Sequence, residues 1–405
     1  MLNIKKNKRY LLACSYGPDS MALFDMLNKE NYSFEVAHVN YHLREESDDE
    51  EKCLREYCKR HNIKIHVYQN LDVFKSNIEA NCREVRYDFF SKLYKEYSFD
   101  GLLVAHNEDD LIETYLLQKK RKNLVFHFGL SEISEIKGMK VIRPLLSFKK
   151  NQLLDYCNKL SIPFAIDKTN LMATFERNKI RLNIVSKMSD LERKEMIEKI
   201  NKENNELNKL FVKVNKASNC ISDLKKLEPT EFAYYLNIKL KELGIIQPIT
   251  YKQSIEVAKF LNSKKPNISL SVARNQARIY KAYDTLIIRK NVDSFEPIFI
   301  NEPSIVDNEI LFADLIAEGS KRKIHLSDYP LTIRPYQKGD KYQITNYMVS
   351  VRRLFIDWKI PLILRKRWPL FVNKDNKIVY IPRYQKDFQI EKSPKFYVKE
   401  CFTLK

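Results

Sequence analysis

The chain has 405 residues, with 71 Lys and Arg against 52 Asp and Glu and a formal charge of +19, a length that allows one to three domains and a sizeable core. Seven scattered cysteines, odd in number and without a C-x-x-C pair, exclude a disulfide framework and a zinc site. No early apolar stretch is long enough for a signal or spanning segment, so the expected setting is the reducing cytoplasm, with no membrane partner.

Tyr10–Cys14, Glu35–Val39, Lys64–Tyr68 and Leu102–Ala105 are short apolar, β-prone runs, each followed by a longer segment with helical spacing. This alternation predicts an α/β fold, a doubly wound parallel sheet of Rossmann-like type. Its ligands would sit beyond the carboxyl ends of the strands, near a switch in strand order. The first run empties into Ser15-Tyr16-Gly17-Pro18-Asp19-Ser20 and then the helix-like Met21–Leu27. Free amides, the positive end of the helix dipole and two hydroxyls suit a phosphate there, and Asp19 suits a cation or an ordered donor. No Gly-Lys-Ser/Thr follows, so the turn is not a Walker A loop, and on composition alone a capped turn without ligand fits better. Two more polar clusters, His38–Arg44 and His106–Asp110, follow the second and fourth strands and are expected to converge with it on one crevice.

A helix is expected from about Asn77 to Tyr97; it carries Arg83 and Arg86, which could equally form a solvated face with Glu84 and Asp88. The first domain is expected to span residues 1–188. Apolar residues at Leu207, Leu210, Phe211 and Val214 then predict a small helical domain over 189–292. Strands return beyond, at Leu331–Arg334 and Lys377–Ile381, so 293–405 reads as a small α+β domain. From Lys321 to Lys405 there are 20 basic and 7 acidic residues. Arg352, Arg353, Arg365, Lys366 and Arg367 interleave with Trp368, Tyr336, Tyr342 and Tyr347 as a phosphate-tracking surface would; in isolation a merely soluble basic domain is as good a reading.

The turn Ser15–Ser20 is similar to the Ser-Gly-Gly-x-Asp-Ser signature of the PP-loop ATP pyrophosphatases, which split ATP between its α and β phosphates. Further motifs narrow the resemblance. They are Ala37–Asn40 with Leu43, Arg44 and Ser47; Arg83–Phe90; Ala105-His106 with Asp109, Asp110, Glu113 and Thr114; Arg143–Leu146; Asp167–Asn170; and Glu176–Arg181. That ordered set resembles the tRNA(Ile)-lysidine synthetase family over roughly the first 185 residues. A weaker echo, Arg334-Pro335 with Gly339-Asp340 and then Pro369, resembles the family's C-terminal domain.

The resemblance implies a ligase acting on the wobble cytidine of a tRNA(Ile) with a CAU anticodon. ATP adenylates the cytidine O2 and releases pyrophosphate; the ε-amine of free L-lysine then attacks C2 and expels AMP. ATP is the co-substrate and Mg2+ the implied metal, held at Asp19. Ser15, Tyr16, Gly17, Pro18, Asp19, Ser20 and His38 would bind the nucleotide. Asp19, Asp110 and Arg83 would carry catalysis, Asp110 accepting the lysine proton with Asp109 as second choice. One of Arg83 and Arg86 would clamp phosphate and the other an RNA backbone or a carboxylate. His106, Asp109, Arg86, Arg177, Asn178, Arg181, Arg352 and Arg353 would face lysine or tRNA.

Tyr16 stands where the signature has its first glycine, Pro18 removes an amide from the turn, and Tyr41 and His42 depart from the family pattern. Two alternatives stay open: a PP-loop tRNA-thiolating enzyme using Cys14 or Cys82, and a tRNA-binding homologue without catalysis, which Tyr16 and Pro18 motivate. The oligomeric state is also left open.

Overall fold

The apolar runs form the centre of a six-stranded sheet. The computed structural model describes residues 2–43, 45–71, 77–122, 124–166, 176–245, 248–290, 294–316, 324–382 and 396–399, and the chain divides into two compact units, Met1–Lys209 and Leu210–Lys405. In the first, β1 (Arg9–Ala13), α1 (Pro18–Lys29), β2 (Ser33–Asn40), α2 (Ser47–Arg60), β3 (Ile65–Gln69), α3 (Ile78–Glu96), β4 (Gly101–Val104) and α4 (Glu108–Arg121) alternate as expected. They lead to β5 (Ile133–Ile136), β6 (Met139–Ile142), α5 (Lys150–Lys159), α6 (Glu176–Asn183) and α7 (Asp190–Asn215), within which the boundary between the units falls. The strand order is β3-β2-β1-β4-β6-β5, with all neighbours parallel except β5, which runs antiparallel to β6.

Both faces of this sheet are covered, and its central strands β1 and β4 accordingly carry continuous buried apolar runs rather than an alternation. Leu12 and Leu103 point into a core with Met21, Phe24 and Leu27 of α1, Leu54 of α2 and Leu153 of α5. Their neighbours Leu11 and Leu102 point the other way, against Tyr87, Phe90 and Leu93 of α3. The chain lays β2 and β3 on one side of β1 and then returns to place β4 on the other. The carboxyl ends of β1 and β4 therefore flank the switch point, the place where open α/β sheets bind their ligands. The β5–β6 hairpin extends the sheet beyond the four strands expected. Its turn, Lys137-Gly138 with φ of 50° and 76°, takes the two left-handed residues that a tight hairpin demands.

The second unit contains α8 (Ile221–Leu224), α9 (Pro229–Glu242) and α10 (Tyr251–Leu261), followed by β7 (Asn267–Val272), β8 (Ala277–Ala282) and β9 (Thr285–Lys290). The stretch expected to be helical as far as 292 thus ends in a three-stranded antiparallel sheet. Alternate burial along β8 sets Ala277 and Ile279 against Leu236 of α9 and Val257 of α10 in one core. Then come β10 (Ile298–Ile300), β11 (Ile305–Asp307), β12 (Leu311–Asp314), β13 (Leu331–Pro335), β14 (Lys341–Ile344), β15 (Tyr347–Ser350), α11 (Val351–Asp357), α12 (Leu362–Arg365), β16 (Pro369–Val372), β17 (Ile378–Tyr380) and β18 (Phe396–Val398). They build sheets of order β10-β13-β16-β17 and β11-β12-β18 and the hairpin β14-β15. Among the described residues no helix is long and apolar enough to cross a membrane.

Trp368 is not part of a nucleic-acid surface. It is 1% exposed, its ring stands edge-on to Phe355 with centroids 6.3 Å apart, and its Nε1–H donates to the Pro382 carbonyl at 2.9 Å. Tyr336, Tyr342 and Trp358 pack on the same core, and Tyr347 is the exposed aromatic of the group. Trp368→Ala should therefore cost about 3–5 kcal/mol of stability, seen as a lower urea midpoint.

Candidate functional site

The turn Ser15–Ser20 is braced from within. Ser20 Oγ donates to the Gly17 carbonyl at 2.9 Å and accepts the Ser15 amide at 3.3 Å, while Ser15 is exposed with its hydroxyl 3.5 Å from that of Ser20. Gly17 is the extended N-cap of α1 and Pro18 opens the helix, where its missing amide costs no intrahelical bond. The turn's carbonyls are occupied: Tyr16 O accepts from Ala165 N at 2.9 Å, Gly17 O from Met21 N at 3.0 Å and Pro18 O from the Cys157 thiol at 3.4 Å. What the turn can still offer a ligand is donors, from the Ser15 hydroxyl and the helix's first amides.

Tyr16 adopts φ +62°, the left-handed conformation for which glycine carries no steric penalty. Its side chain is 7% exposed and lies in the core with Cys14 and Met21. Burial first, with the Cys53 thiol next, pushes its hydroxyl up to about 12. Ring burial offsets a backbone strain of about 1 kcal/mol.

Asp19, in the first turn of α1, has a buried Oδ1 without a hydrogen-bond partner among the described residues. Burial, opposed by Lys150 and reinforced by Asp110, raises its carboxyl from 3.8 to about 6. A buried carboxylate oxygen free to coordinate suits Mg2+, which is commonly held by one or two carboxylates together with substrate phosphates. No group of three or more His, Cys, Asp or Glu among the described residues is arranged to hold a metal unaided, so the fit is to a cation shared with a phosphate ligand. His38 is buried at the end of β2; its Nδ1–H donates to the Cys14 carbonyl at 2.9 Å, and burial lowers its pKa.

Across the switch point, Asn107 caps α4 in a reciprocal pair with Asp110: Asp110 N donates to Asn107 Oδ1 and Asn107 N to Asp110 Oδ2, both at 3.1 Å. Asp110 Oδ1 also accepts from Arg177 Nη2 at 3.0 Å and Arg181 Nη2 at 3.3 Å. One turn on, the fully buried Glu113 accepts from Arg177 Nε at 2.9 Å and from both Nε and Nη2 of Arg181. Arg177 and Arg181, four apart on α6, thus face inward onto two carboxylates. Asp109 lies apart from this cluster: Arg193 of α7 holds it at 2.8 Å and also reaches Glu108 at 3.2 Å and the Val185 carbonyl at 2.8 Å. Its carboxylate stands in a buried ion pair of its own, separate from the Asp110–Glu113 cluster. Asn178 is buried on α6.

Arg83 is exposed, its guanidinium 4.7 Å from the Tyr87 ring centroid, and its charge acts on His106. Arg86 is half-buried and acts on Tyr41, whose hydroxyl donates to the Cys82 carbonyl at 2.7 Å. Glu84 and Asp88 instead bind Lys137, each at 2.5 Å. Two residues named above only as motif members, without a role, stand beside these side chains. Glu113 lies three positions after Asp110, one helical turn on. Arg143 follows the apolar β6 directly, and its Nε donates to His106 Nδ1 at 3.0 Å. Arg44 and Asp167–Asn170 lie outside the described residues. In the second unit, Arg352 and Arg353 are exposed on α11; Arg353 pairs with Asp357 at 3.1 Å, and Arg352 forms no ion pair among the described residues.

A buried parallel sheet with such a turn at its switch point defines the PP-loop class, and residues 1–188 match the PP-loop domain family. Residues 331–395 match the TilS substrate C-terminal domain. A tRNA(Ile)-lysidine synthase of Mycoplasma mycoides is 33% identical over 399 residues, covering 94% of this chain and 98% of the relative. One of Mesoplasma florum is 31% identical over 361 residues, 87% of each chain. The chain belongs to the tRNA(Ile)-lysidine synthase family. A solved U34-tRNA thiolase from Methanococcus maripaludis overlaps 50% of this chain and 73% of its own at 16% identity, with a TM-score of 0.43, too low to support a functional comparison.

The raised pKa of Asp19 has a measurable sign. Between about pH 4 and about pH 6 the folded state keeps a proton that the unfolded chain releases, so stability falls as pH rises through that window; above it the penalty is complete, at most about 3 kcal/mol. In Mg2+-free buffer Asp19→Asn should abolish this slope and leave the protein about 1–3 kcal/mol more stable than wild type at neutral pH, as read by urea melts across the pH range.

Proposed function

We propose that this chain is an ATP-dependent tRNA-modifying ligase that adenylates O2 of the wobble cytidine in a CAU-anticodon tRNA(Ile) and then joins free L-lysine to C2. The observation that carries the reading is the juxtaposition at one switch point of a donor-lined turn, an unpartnered Asp19 oxygen and the Asp110–Glu113 carboxylate pair.

The turn's amides and the Ser15 hydroxyl bind the β and γ phosphates and stabilise the charge that gathers on departing pyrophosphate. Asp19 would hold Mg2+ arriving with ATP, and an ion bound there would supply neutralisation of phosphate charge. Arg83, exposed and without an ion pair among the described residues, supplies a further cation at the mouth. In the second step the lysine ammonium gives up a proton, the amine attacks C2, and the C2–O2 bond breaks as AMP leaves. Asp110 accepts that proton, with Glu113 beside it to recognise the cation; both carboxylates carry guanidinium groups in the structure, and the incoming ammonium takes the place of one of them. Arg352, and Arg353 next to it, contribute to the grip on the tRNA phosphates.

The sulfur-transfer alternative has less support: the relatives are lysidine synthases, and burial pushes up the thiols of both Cys14 and Cys82, whereas sulfur chemistry starts from a thiolate. The inactive-binder alternative was motivated by Tyr16 and Pro18; the Tyr16 ring is buried in the core, and Pro18 opens α1, where its missing amide costs no intrahelical bond.

Incubation with ATP, labelled lysine and CAU-anticodon tRNA should incorporate lysine with one pyrophosphate released per product. Pyrophosphate release without lysine incorporation would refute the nucleophile. Asp19→Asn should abolish pyrophosphate release with tRNA affinity nearly intact; unchanged turnover would remove Asp19 from the mechanism. Arg352→Ala should lower the slope of log affinity against log salt by about one, measured by filter binding; an unchanged slope would place the phosphate grip elsewhere.

A further inference from the structure

Arg143 is a buried guanidinium with no carboxylate partner among the described residues, and its hydrogen bonds say what it is for. It leaves the carboxyl end of β6, next to β4 in the sheet, and its backbone amide is fixed to the Glu132 carbonyl at 2.8 Å. Nη1 donates to the Ser131 carbonyl at 2.8 Å and to Ser134 Oγ at 2.9 Å, anchoring the planar fork on the β5 edge. Nε donates to Nδ1 of His106, which directly precedes the cap of α4. A guanidinium has no lone pair to offer and does not lose its proton. Nδ1 must therefore be the accepting nitrogen, and the single proton of the neutral ring sits on Nε2. Protonating the ring would set an Nδ1–H against the Arg143 Nε–H.

The charges facing the ring agree with this assignment. Burial is the largest influence and lowers the imidazole to about 4; Asp110 of α4 opposes it, while Arg143, Arg177 of α6 and Arg83 of α3 favour the neutral form. The Nε2–H donates to no protein acceptor among the described residues, and the side chain is only partly covered. It is a free, neutral donor at the switch point.

We propose that Arg143 is a positioning residue whose buried guanidinium fixes His106 as the Nε2–H tautomer, a donor for an acceptor oxygen of the nucleotide substrate at the switch point. A neutral imidazole can stabilise charge growing on such an oxygen without surrendering its proton. The inference rests on the adenylating reading of the site for its consequence, and on geometry alone for the tautomer.

The test is nitrogen NMR of full-length protein labelled with 15N-histidine, His106 being assigned by its loss in His106→Gln. Wild type should show Nε2 protonated and Nδ1 bare between about pH 5 and about pH 8. Arg143→Met should give mixed tautomers and a ring that titrates nearer the ordinary range, with the other histidine signals unmoved as the control for folding. It should lower kcat for lysine incorporation about 100-fold, and Arg143→Lys, whose ammonium can still donate to Nδ1, should recover part of both effects. Glutamine at 106 supplies an amide N–H that has no tautomer to fix, so adding Arg143→Met to His106→Gln should cost less than about threefold more.

An Nδ1–H ring in wild type overturns the proposal, and does so even if Arg143→Met fails to fold. An unchanged His106 spectrum in Arg143→Met, or its full kinetic loss persisting in the glutamine background, overturns it as well. A wild-type protein that incorporates no lysine refutes the functional reading instead, because the nitrogen shifts are recorded without substrate.

Discussion

Four acidic side chains crowd the first two turns of α4, and compensating their burial organises the carboxyl edge of the sheet. Glu113 is fully buried, and Asp109 and Asp110 are nearly so. A buried carboxylate without a cation or donors is among the costliest features a fold can carry. The compensation comes from later in the chain: Arg177 and Arg181 reach Asp110 and Glu113, and Arg193 reaches Asp109 and Glu108. Ile112 of α4 packs with Ile180 of α6 and Val185 beneath these pairs. The acids at this edge thereby also fix the helices beside them.

The same region separates what was legible in the sequence from what was not. Strands β1 to β4 could be read because each is a short β-prone run followed by a segment with helical spacing, and that alternation survives in a one-dimensional string. The turn Ser15–Ser20 could be placed because strand-to-helix order puts it at a ligand-binding edge. The assignment of individual carboxylates could not: Asp109 and Asp110 are adjacent in sequence, yet the helix turns them by about 100°, one to Arg193 and the other to Arg177 and Arg181. Nor does composition distinguish a buried from an exposed aromatic. Trp368 follows Arg365-Lys366-Arg367 and reads as part of a basic surface, while β16 and Phe355 draw it inward. The β7–β9 sheet was missed because a helical period over 207–214 was carried forward past the point where strand alternation begins.

Several features of the proposed site are also departures from local comfort. Tyr16 holds a left-handed backbone that glycine would adopt freely, and Asp19 keeps an oxygen unpartnered. Arg143 is buried without a counter-charge among the described residues. The first is offset by the ring's burial. The second is an oxygen without a partner among the described residues, whereas Arg143 spends its hydrogen bonds within the chain, on Ser131, Ser134 and His106.

The buried indole in the second unit has a practical corollary for studying the first. Trp358 and Trp368 are the chain's two tryptophans, and both belong to the core around α11 and β16. Intrinsic tryptophan emission therefore samples that core, whereas the PP-loop unit reports through its tyrosines alone. Melting curves followed by emission and by calorimetry would coincide only if the two units unfold as one cooperative system, so the pair of optical and thermal traces measures directly how far the units are energetically coupled.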